Sequence, residues 1–189
     1  MFWSLAPLVI VCVALAGLVG TCSFRPNGPT DSAAPVYDAV AALRADAAVL
    51  DFPVRLPELP ADWQANSGAR GGIESGRVDA TGQRQRALTT RVGYLAPSKM
   101  YVSLTQSNAD EAPLVASLQP EVYPTGVQEI GGVKWVAYEG GDGTEPVWTT
   151  RLAGPGGAVQ LAVTGAGSPE DFRTLAAATQ AQPPITPDR

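Results

Sequence analysis

Two acidic residues in a glycine-rich loop are the first candidates for chemistry in this sequence. Asp142 and Glu145 lie three positions apart in the stretch GGDGTEP, between two apolar segments. A pair of carboxylates can transfer protons or hold a divalent cation. A calcium site needs more oxygen ligands than this pair supplies, and Asp-Gly is also an ordinary turn sequence. The loop is therefore either a solvated turn or a functional carboxylate pair, and it predicts no metal centre.

Aromatic residues on the predicted strands are the second candidate. The set consists of Trp63, Tyr94, Tyr101, Trp135, Tyr138 and Trp148. Large rings at alternating strand positions usually belong to the core. If some of them instead line a gap between a sheet and its helices, they form an apolar pocket suited to a lipid or a glycan. The candidate ligand-binding residues are accordingly Trp135, Tyr138 and Trp148, together with the two acids of the loop.

The residue types that common enzymes use are missing or isolated. The chain has no histidine, and its two cysteines both precede the predicted globular domain. A serine nucleophile would need a lysine as its base, as in the pairs Ser98–Lys99 or Ser103–Lys134. The first pair is adjacent in sequence, which requires unusual geometry, and the second requires contact across the sheet. We predict no catalytic residues and expect a protein that is not an enzyme.

The sequence also argues against nucleotides and nucleic acids as ligands. Gly165 and Gly167 lie between a predicted strand and a predicted helix, as in a dinucleotide fingerprint. The third glycine position is Glu170, and Glu170 and Asp171 would repel a pyrophosphate at that helix start. A net charge of −5 without a basic run in the sequence disfavours nucleic acid. No cofactor is expected.

An uncharged N-terminal segment predicts a membrane anchor. Residues 2–20 carry no charged side chain, and at ~1.5 Å per residue a helix of about 19 residues spans roughly 28 Å, close to the hydrocarbon core. We predict a retained transmembrane anchor at residues 1–21 and a flexible linker at residues 22–35. A cleaved signal peptide and a lipidated Cys22 remain alternatives, although a basic start is missing and Thr21 is a poor residue before a lipidated cysteine.

The orientation in the membrane is predicted from the position of the span. Arg25 follows it and no basic residue precedes it, which by itself favours the opposite sense. A single basic residue is weak evidence, and a lone N-terminal span usually exports the domain that follows. We therefore expect the C-terminal domain to be extracytoplasmic.

The clearest part of the domain is a run of four short strands over residues 127–167. Apolar residues alternate with polar ones at the period of a half-buried strand. Residues 133–138 are apolar on both sides and predict a strand buried on both faces. Gly131-Gly132 predicts a two-residue hairpin turn, because such turns favour positive φ. Glycine clusters at 140–143 and 154–157 mark the next turns, so the segment predicts an antiparallel meander.

Upstream, helices and strands alternate less regularly. A helix with apolar residues at helical spacing is predicted over residues 36–50, with Asp31 or Ser32 as its cap. Three prolines make residues 53–60 an extended lead-in across one end of the sheet. Residues 63–69 predict a first strand, whereas the glycine-rich, charged residues 70–86 predict a loop or an irregular exposed hairpin.

The remaining elements complete an α+β fold. Residues 88–94 and 100–105 predict two strands joined by a turn at Pro97-Ser98. Asn108 is predicted to cap a short helix, and Ser168-Pro169 starts a longer one. The result is a single domain over residues 36–182, with about six or seven mainly antiparallel strands, helices packed on them, and a disordered tail at residues 183–189.

Three long strings in the sequence carry a family resemblance: FPVRLPELPADWQANSGAR, RVGYLAPSKMYVSLTQSNADEA and EGGDGTEPVWTTRLAG. With the N-terminal span, they resemble the actinobacterial family known as domain of unknown function 4245. The resemblance extends over nearly the whole chain. It implies a membrane-associated protein of the actinobacterial envelope, and it implies no catalytic residue.

Together these observations predict a membrane-anchored envelope domain that binds rather than catalyses. The expected partner is an envelope protein or an envelope lipid or glycan, and the membrane itself is contacted through the N-terminal helix. A carboxylate-based hydrolase or metal-binding domain that uses Asp142 and Glu145 is the alternative. A purely structural spacer in a membrane complex is the third class.

Overall fold

The computed structural model describes residues 36–186, which form an α+β domain with one seven-stranded antiparallel sheet and three helices. The helices are α1 (Ala39–Ala47), α2 (Glu111–Leu118) and α3 (Pro169–Ala181). The strands are β1 (Gln64–Val78), β2 (Arg84–Leu95), β3 (Tyr101–Ser107), β4 (Tyr123–Ile130), β5 (Val133–Glu139), β6 (Val147–Gly154) and β7 (Gly157–Gly165). The predicted fold class is confirmed.

The predicted anchor and linker lie outside the described residues. Within 36–186, every helix is too short or too polar to cross a membrane.

The C-terminal four strands form the predicted meander. The sheet order is β1-β2-β3-β7-β6-β5-β4, so β4 to β7 are neighbours in sequence order. The β4–β5 turn is the glycine pair Gly131-Gly132, whose φ values are 53° and 81°. Both angles lie in the region that glycine adopts without steric cost, which is why a two-residue turn fits here.

The segment predicted as a loop or an irregular hairpin is a long hairpin. Strands β1 and β2 pair from Gln64↔Leu95 to Val78↔Arg84, with register shifts near each end. Much of β1 is exposed, and it lacks the apolar alternation of a half-buried strand. The first strand predicted at residues 63–69 is the beginning of β1. Backbone pairing with β2 extends it through the glycine-rich residues, which explains why their composition gave no strand signal.

Two predicted helix caps were wrong. Asp38 caps α1, where its Oδ1 accepts a hydrogen bond from the Ala41 N–H at 2.9 Å, so neither Asp31 nor Ser32 has this role. Asp110 occupies the cap position of α2 and makes no side-chain cap bond there. The Asn108 side chain instead bonds to the Leu88 N–H and to Asp51.

The predicted start of α3 is confirmed. Ser168 Oγ accepts from the Asp171 N–H at 3.2 Å, and Asp171 Oδ2 accepts from the Ser168 N–H at 2.8 Å. This is a capping box, and Pro169 follows in the first turn, where a missing N–H costs nothing.

The sheet has a hydrophobic cluster on each face. One cluster joins α1 and α3 to the sheet through side chains such as Leu43, Phe172 and Leu175. The other joins α2 to the opposite face through Leu114 and Val115. Successive strand residues point to opposite faces, so each strand contributes to both clusters.

Strand β5 differs from the prediction that both of its sides are buried. Trp135 and Ala137 are buried, Val136 and Tyr138 are half-buried, and Lys134 is exposed. Only the face toward α1 and α3 is closed at this strand, because α2 is short and the neighbouring β4 is largely exposed.

The extended lead-in is fixed to the sheet by reciprocal bonds with a buried glutamine. The Arg55 N–H donates to Gln106 Oε1 and Gln106 Nε2 donates to the Arg55 carbonyl, each at 2.8 Å. The buried Arg55 guanidinium donates to the carbonyls of Gln182 and Ala153, and burial lowers its pKa. The Ile185 N–H donates to the Val54 carbonyl at 2.8 Å, so part of the tail expected to be disordered pairs with the lead-in.

Candidate functional site

The three predicted aromatic site residues lie on two faces of the sheet. Trp135 and Trp148 are buried in the cluster under α1 and α3. Tyr138 packs at the edge of the cluster under α2. The structure therefore does not bring the three rings into one pocket.

Trp148 is fixed by its neighbours in the core. Its ring packs edge-to-face on Phe172 with the centroids 5.3 Å apart. The Arg173 guanidinium lies 5.8 Å from the centre of the Trp148 ring, within the range of a cation–π contact. Both neighbours are on α3, so the ring helps to dock this helix.

Tyr138 makes a polar contact with the other helix layer. Its hydroxyl donates to Glu111 Oε1 at 2.8 Å, at the start of α2. Burial, the hydrogen bond and the charge of Glu111 raise the pKa of Tyr138 to about 12. The phenol is thus a neutral donor at physiological pH.

The acidic loop is an open turn between β5 and β6. Asp142 is exposed and Glu145 is half-buried. In the part of the chain that the structure describes, no three Asp, Glu, Cys or His side chains are grouped closely enough to hold a metal ion. The two acids occupy one loop, as predicted, and none of the pockets described below includes them.

The serine–lysine pairs do not form dyads. Ser103 is on β3 and Lys134 is on β5, and β7 and β6 lie between those strands. With neighbouring strands about 4.8 Å apart, the two residues are separated by at least roughly 14 Å. Ser98 Oγ donates to Asp171 Oδ2 at 3.3 Å, so its hydroxyl is directed to this carboxylate and not to Lys99.

A cleft lined by three arginines is a polar concave site at one end of the sheet. It has a volume of about 570 Å³ and contains Arg77, Arg86, Arg151 and Asn108, with Asp51 and Gly156-Gly157 also in its wall. We call it the arginine cleft. Ligand pockets typically fall between about 300 and 1,000 Å³.

The topology of the sheet explains how distant residues meet in the arginine cleft. β2 begins, β3 ends, β6 ends and β7 begins at the same end of the sheet, as the pairs Thr89↔Ser107, Ser107↔Gln160 and Arg151↔Gln160 show. Arg86 enters from β2 and Arg151 from β6, on opposite faces of the sheet, because Arg151 shares a face with Thr89, which is three positions from Arg86. The cleft lies at the end of the sheet, where both arginines and Asn108, which follows β3, reach its wall.

Asn108 organises the arginine cleft through three bonds. Its Oδ1 accepts from the Leu88 N–H at 2.9 Å and its Nδ2 donates to Asp51 Oδ1 at 2.8 Å. Its carbonyl accepts from Arg77 Nη2 at 2.6 Å. The asparagine thereby links the end of β3, the start of β2 and the segment after α1.

The arginines of the cleft have donors to spare. Arg86 Nη2 donates to the Gly72 carbonyl at 2.8 Å, and Arg151 Nη1 donates to the Ala109 carbonyl at 3.4 Å. No carboxylate within residues 36–186 forms an ion pair with Arg77, Arg86 or Arg151. Each guanidinium carries five N–H donors, so most of them point to solvent or remain for a ligand. Three arginines and one aspartate line the cleft, in a chain with a net charge of −5.

Comparison with known families identifies the chain. A sequence model of the family described as "Protein of unknown function (DUF4245)" matches residues 1–179. The chain belongs to the DUF4245 family. This confirms the family indicated by the three long strings. No curated protein and no solved structure matches the chain.

The match places the arginine cleft within the region that defines this DUF4245 protein. All residues that line the cleft fall within the matched residues 1–179. Pro184 and Ile185, near the end of the described chain, lie beyond the match. The sequence gave no sign of the cleft because its arginines are separated by 9 and 65 positions, from Arg77 to Arg86 and from Arg86 to Arg151. The sequence shows that arginine outnumbers lysine, but this bias does not indicate where in the fold the arginines lie.

Proposed function

We propose that this DUF4245 protein is a non-catalytic binding module, tethered to the membrane by its predicted N-terminal span, that holds a negatively charged envelope ligand in the arginine cleft. The proposal keeps the binding role expected from the sequence. It moves the site away from the aromatic residues and the acidic loop.

The observation that carries the proposal is that three arginines without ion-pair partners among the described residues line one cleft. Their positive charge would attract an anionic ligand. Guanidinium groups bind phosphate or carboxylate through paired hydrogen bonds. The three side chains are exposed, so each contact is worth only about 1 kcal/mol and the affinity depends on their joint action.

The lack of histidine and the positions of the other candidate groups support binding over turnover. The chain contains no histidine. The serine–lysine pairs are separated or engaged elsewhere, and Asp142 and Glu145 lie outside the cleft. A bound anion would therefore meet hydrogen-bond donors but no nucleophile with a base beside it.

Calorimetric titration of the full chain in a non-ionic amphipol with inorganic phosphate tests the proposal. We expect measurable binding that weakens as salt rises, because exposed charges are screened. Arg151→Gln and Arg77→Gln should each weaken binding about fivefold, which corresponds to about 1 kcal/mol. Arg44→Gln is the matched control, since Arg44 is an exposed arginine on α1 that does not line the cleft.

Two results would contradict the proposal. Binding that Arg44→Gln weakens as much as Arg151→Gln would show general charge attraction instead of a site. No binding of phosphate by the native chain would leave assembly with an envelope protein, or a spacer role, as the better account.

A further inference from the structure

An apolar pocket lies directly beside the arginine cleft. It has a volume of about 350 Å³ and is formed where the end of α1, the β6–β7 turn and the last described residues meet. Its apolar wall includes Leu50, Phe52, Pro155, Pro184 and Ile185. A volume in this range is typical of a site for a small ligand.

The pocket and the cleft share a wall. Asp51, Phe52 and Gly156 line both. A molecule with its charged group among the arginines would therefore need only to pass these residues to place an attached chain in the apolar pocket. One side of the shared wall has guanidinium N–H donors, and the other side has apolar side chains.

We infer that the ligand of this site is an anionic amphiphile, with a phosphate group in the arginine cleft and an alkyl chain in the adjoining apolar pocket. The inference rests on the proposed function of the arginine cleft. The positive charge of the cleft favours an anionic head group. The apolar pocket that adjoins the cleft favours an alkyl chain attached to that head group. Neither an inorganic anion nor an uncharged lipid would use both surfaces.

The pocket wall is only partly buried, although Leu50 and Ile185 also pack against the core. Pro155 is exposed, and Leu50, Pro184 and Ile185 are half-buried. The Ile185 N–H holds its segment to the Val54 carbonyl at 2.8 Å through the backbone. A substitution of the Ile185 side chain therefore leaves that hydrogen bond available.

The test is a titration series on the full chain in a non-ionic amphipol with inorganic phosphate, butyl phosphate, hexyl phosphate and octyl phosphate. The head group is constant and only the chain length changes. Each methylene that enters the pocket should strengthen binding about fourfold, and the gain should stop when the pocket is full. Hexanol and octanol, without a phosphate, should bind far more weakly.

Ile185→Ser removes apolar surface from the pocket. In this variant the gain per methylene should shrink, while affinity for inorganic phosphate stays at the native value and reports an intact fold. Val49→Ser is the matched control, because Val49 is 62% exposed and lies outside the pocket. It should retain the full chain-length dependence, including any partition of the alkyl chain into the amphipol.

The outcomes separate this inference from the proposed function. Equal affinity for inorganic phosphate and octyl phosphate would overturn the amphiphile and leave the anion site standing. Octanol bound as tightly as octyl phosphate would show an uncharged apolar ligand and also overturn it. Failure of every phosphate probe would overturn both proposals.

Discussion

Trp135 and Gln180 are joined by a hydrogen bond that connects β5 to α3. The indole Nε1–H donates to Gln180 Oε1 at 2.9 Å. The same glutamine donates from Nε2 to the Ile130 carbonyl at 2.6 Å. One amide thus ties the helix to two neighbouring strands, and the fully buried Trp135 ring fills the space between them.

Replacement of Trp135 by phenylalanine should destabilise the domain by about 2–3 kcal/mol. The smaller ring leaves a cavity and leaves Gln180 Oε1 without its donor. Chemical denaturation followed by circular dichroism measures the change. Trp63→Phe is the control, because Trp63 is only half-buried and should cost less than about 1 kcal/mol. Equal losses in both variants would contradict the role of the Trp135–Gln180 bond.

Two tyrosine-to-phenylalanine changes should have opposite effects. The Tyr94 hydroxyl is buried and has no hydrogen-bond partner within the described residues, so Tyr94→Phe should leave stability unchanged or raise it by up to about 1 kcal/mol. Tyr138→Phe should cost about 1 kcal/mol, because it removes the bond to Glu111. Thermal unfolding of both variants measures the difference. A clear loss in Tyr94→Phe would show that its hydroxyl has a partner in solution.

The same two phenols predict a loss of stability at high pH. Burial raises the pKa of Tyr94, and burial with the Glu111 contact raises the pKa of Tyr138 to about 12. A raised folded-state pKa gives stability that is complete below the unfolded value of about 10 and is lost as the pH rises through the folded value. The free energy of unfolding should therefore fall above about pH 10.

Absorbance titration of tyrosinate measures this behaviour. The chain has five tyrosines. We expect Tyr94 and Tyr138 to ionise later than the others, and Tyr138→Phe to remove one late step. Ionisation of all five near pH 10 without unfolding would contradict the burial of the two phenols.

Asp46 should prove important for the attachment of α1. Its buried carboxylate accepts from the Thr90 hydroxyl on β2 and forms an ion pair with Arg70 Nε at 3.0 Å on β1. Asp46→Ala should cost about 2 kcal/mol, because the buried Thr90 hydroxyl loses its partner. Asp46→Asn keeps an acceptor for Thr90 and should cost less, since the ion pair with the exposed Arg70 is weak. Equal losses of stability in the two variants, measured by denaturant unfolding, would show that the charge of Asp46 provides the stabilisation.

The acidic loop provides a test of the hydrolase alternative. Asp142→Asn and Glu145→Gln should leave stability within about 0.5 kcal/mol of the native value, as for other open surface positions. Phosphate binding should also be unchanged, because neither residue lines the arginine cleft. Hydrolysis of an envelope ester or glycoside that both substitutions abolish would favour the alternative.

The sequence predicted those strands and helices whose signals lie within a few neighbouring residues. The meander from β4 to β7 followed from alternating side chains and glycine turns, and the start of α3 followed from Ser168 and Pro169. The extent of the β1–β2 hairpin was harder to predict, because backbone hydrogen bonds hold its strands together without an apolar side-chain pattern. The cap of α1 was placed too early, since Asp31 and Asp38 offer the same carboxylate and only the helix boundary distinguishes them.

The candidate site depended on tertiary structure for another reason. Trp135 and Tyr138 are three positions apart on one strand, and an odd spacing places side chains on opposite faces. That rule was available from the sequence and argues against a shared pocket. The arginine cleft could not be predicted from the sequence, because Arg77, Arg86 and Arg151 reach one end of the sheet only after β2, β3, β7 and β6 are aligned.

The bond between Arg55 and Gln182 has a consequence for synthesis of the chain. These residues are 127 positions apart, and at ~5–20 residues per second a ribosome needs roughly 6 to 25 s to make the intervening segment. During that interval the Arg55 guanidinium lacks the Gln182 carbonyl and the Val54 carbonyl lacks the Ile185 N–H. The lead-in can bond to Gln106 and Ala153 before these last two contacts form. Premature termination before residue 182 would leave both of the last contacts unmade.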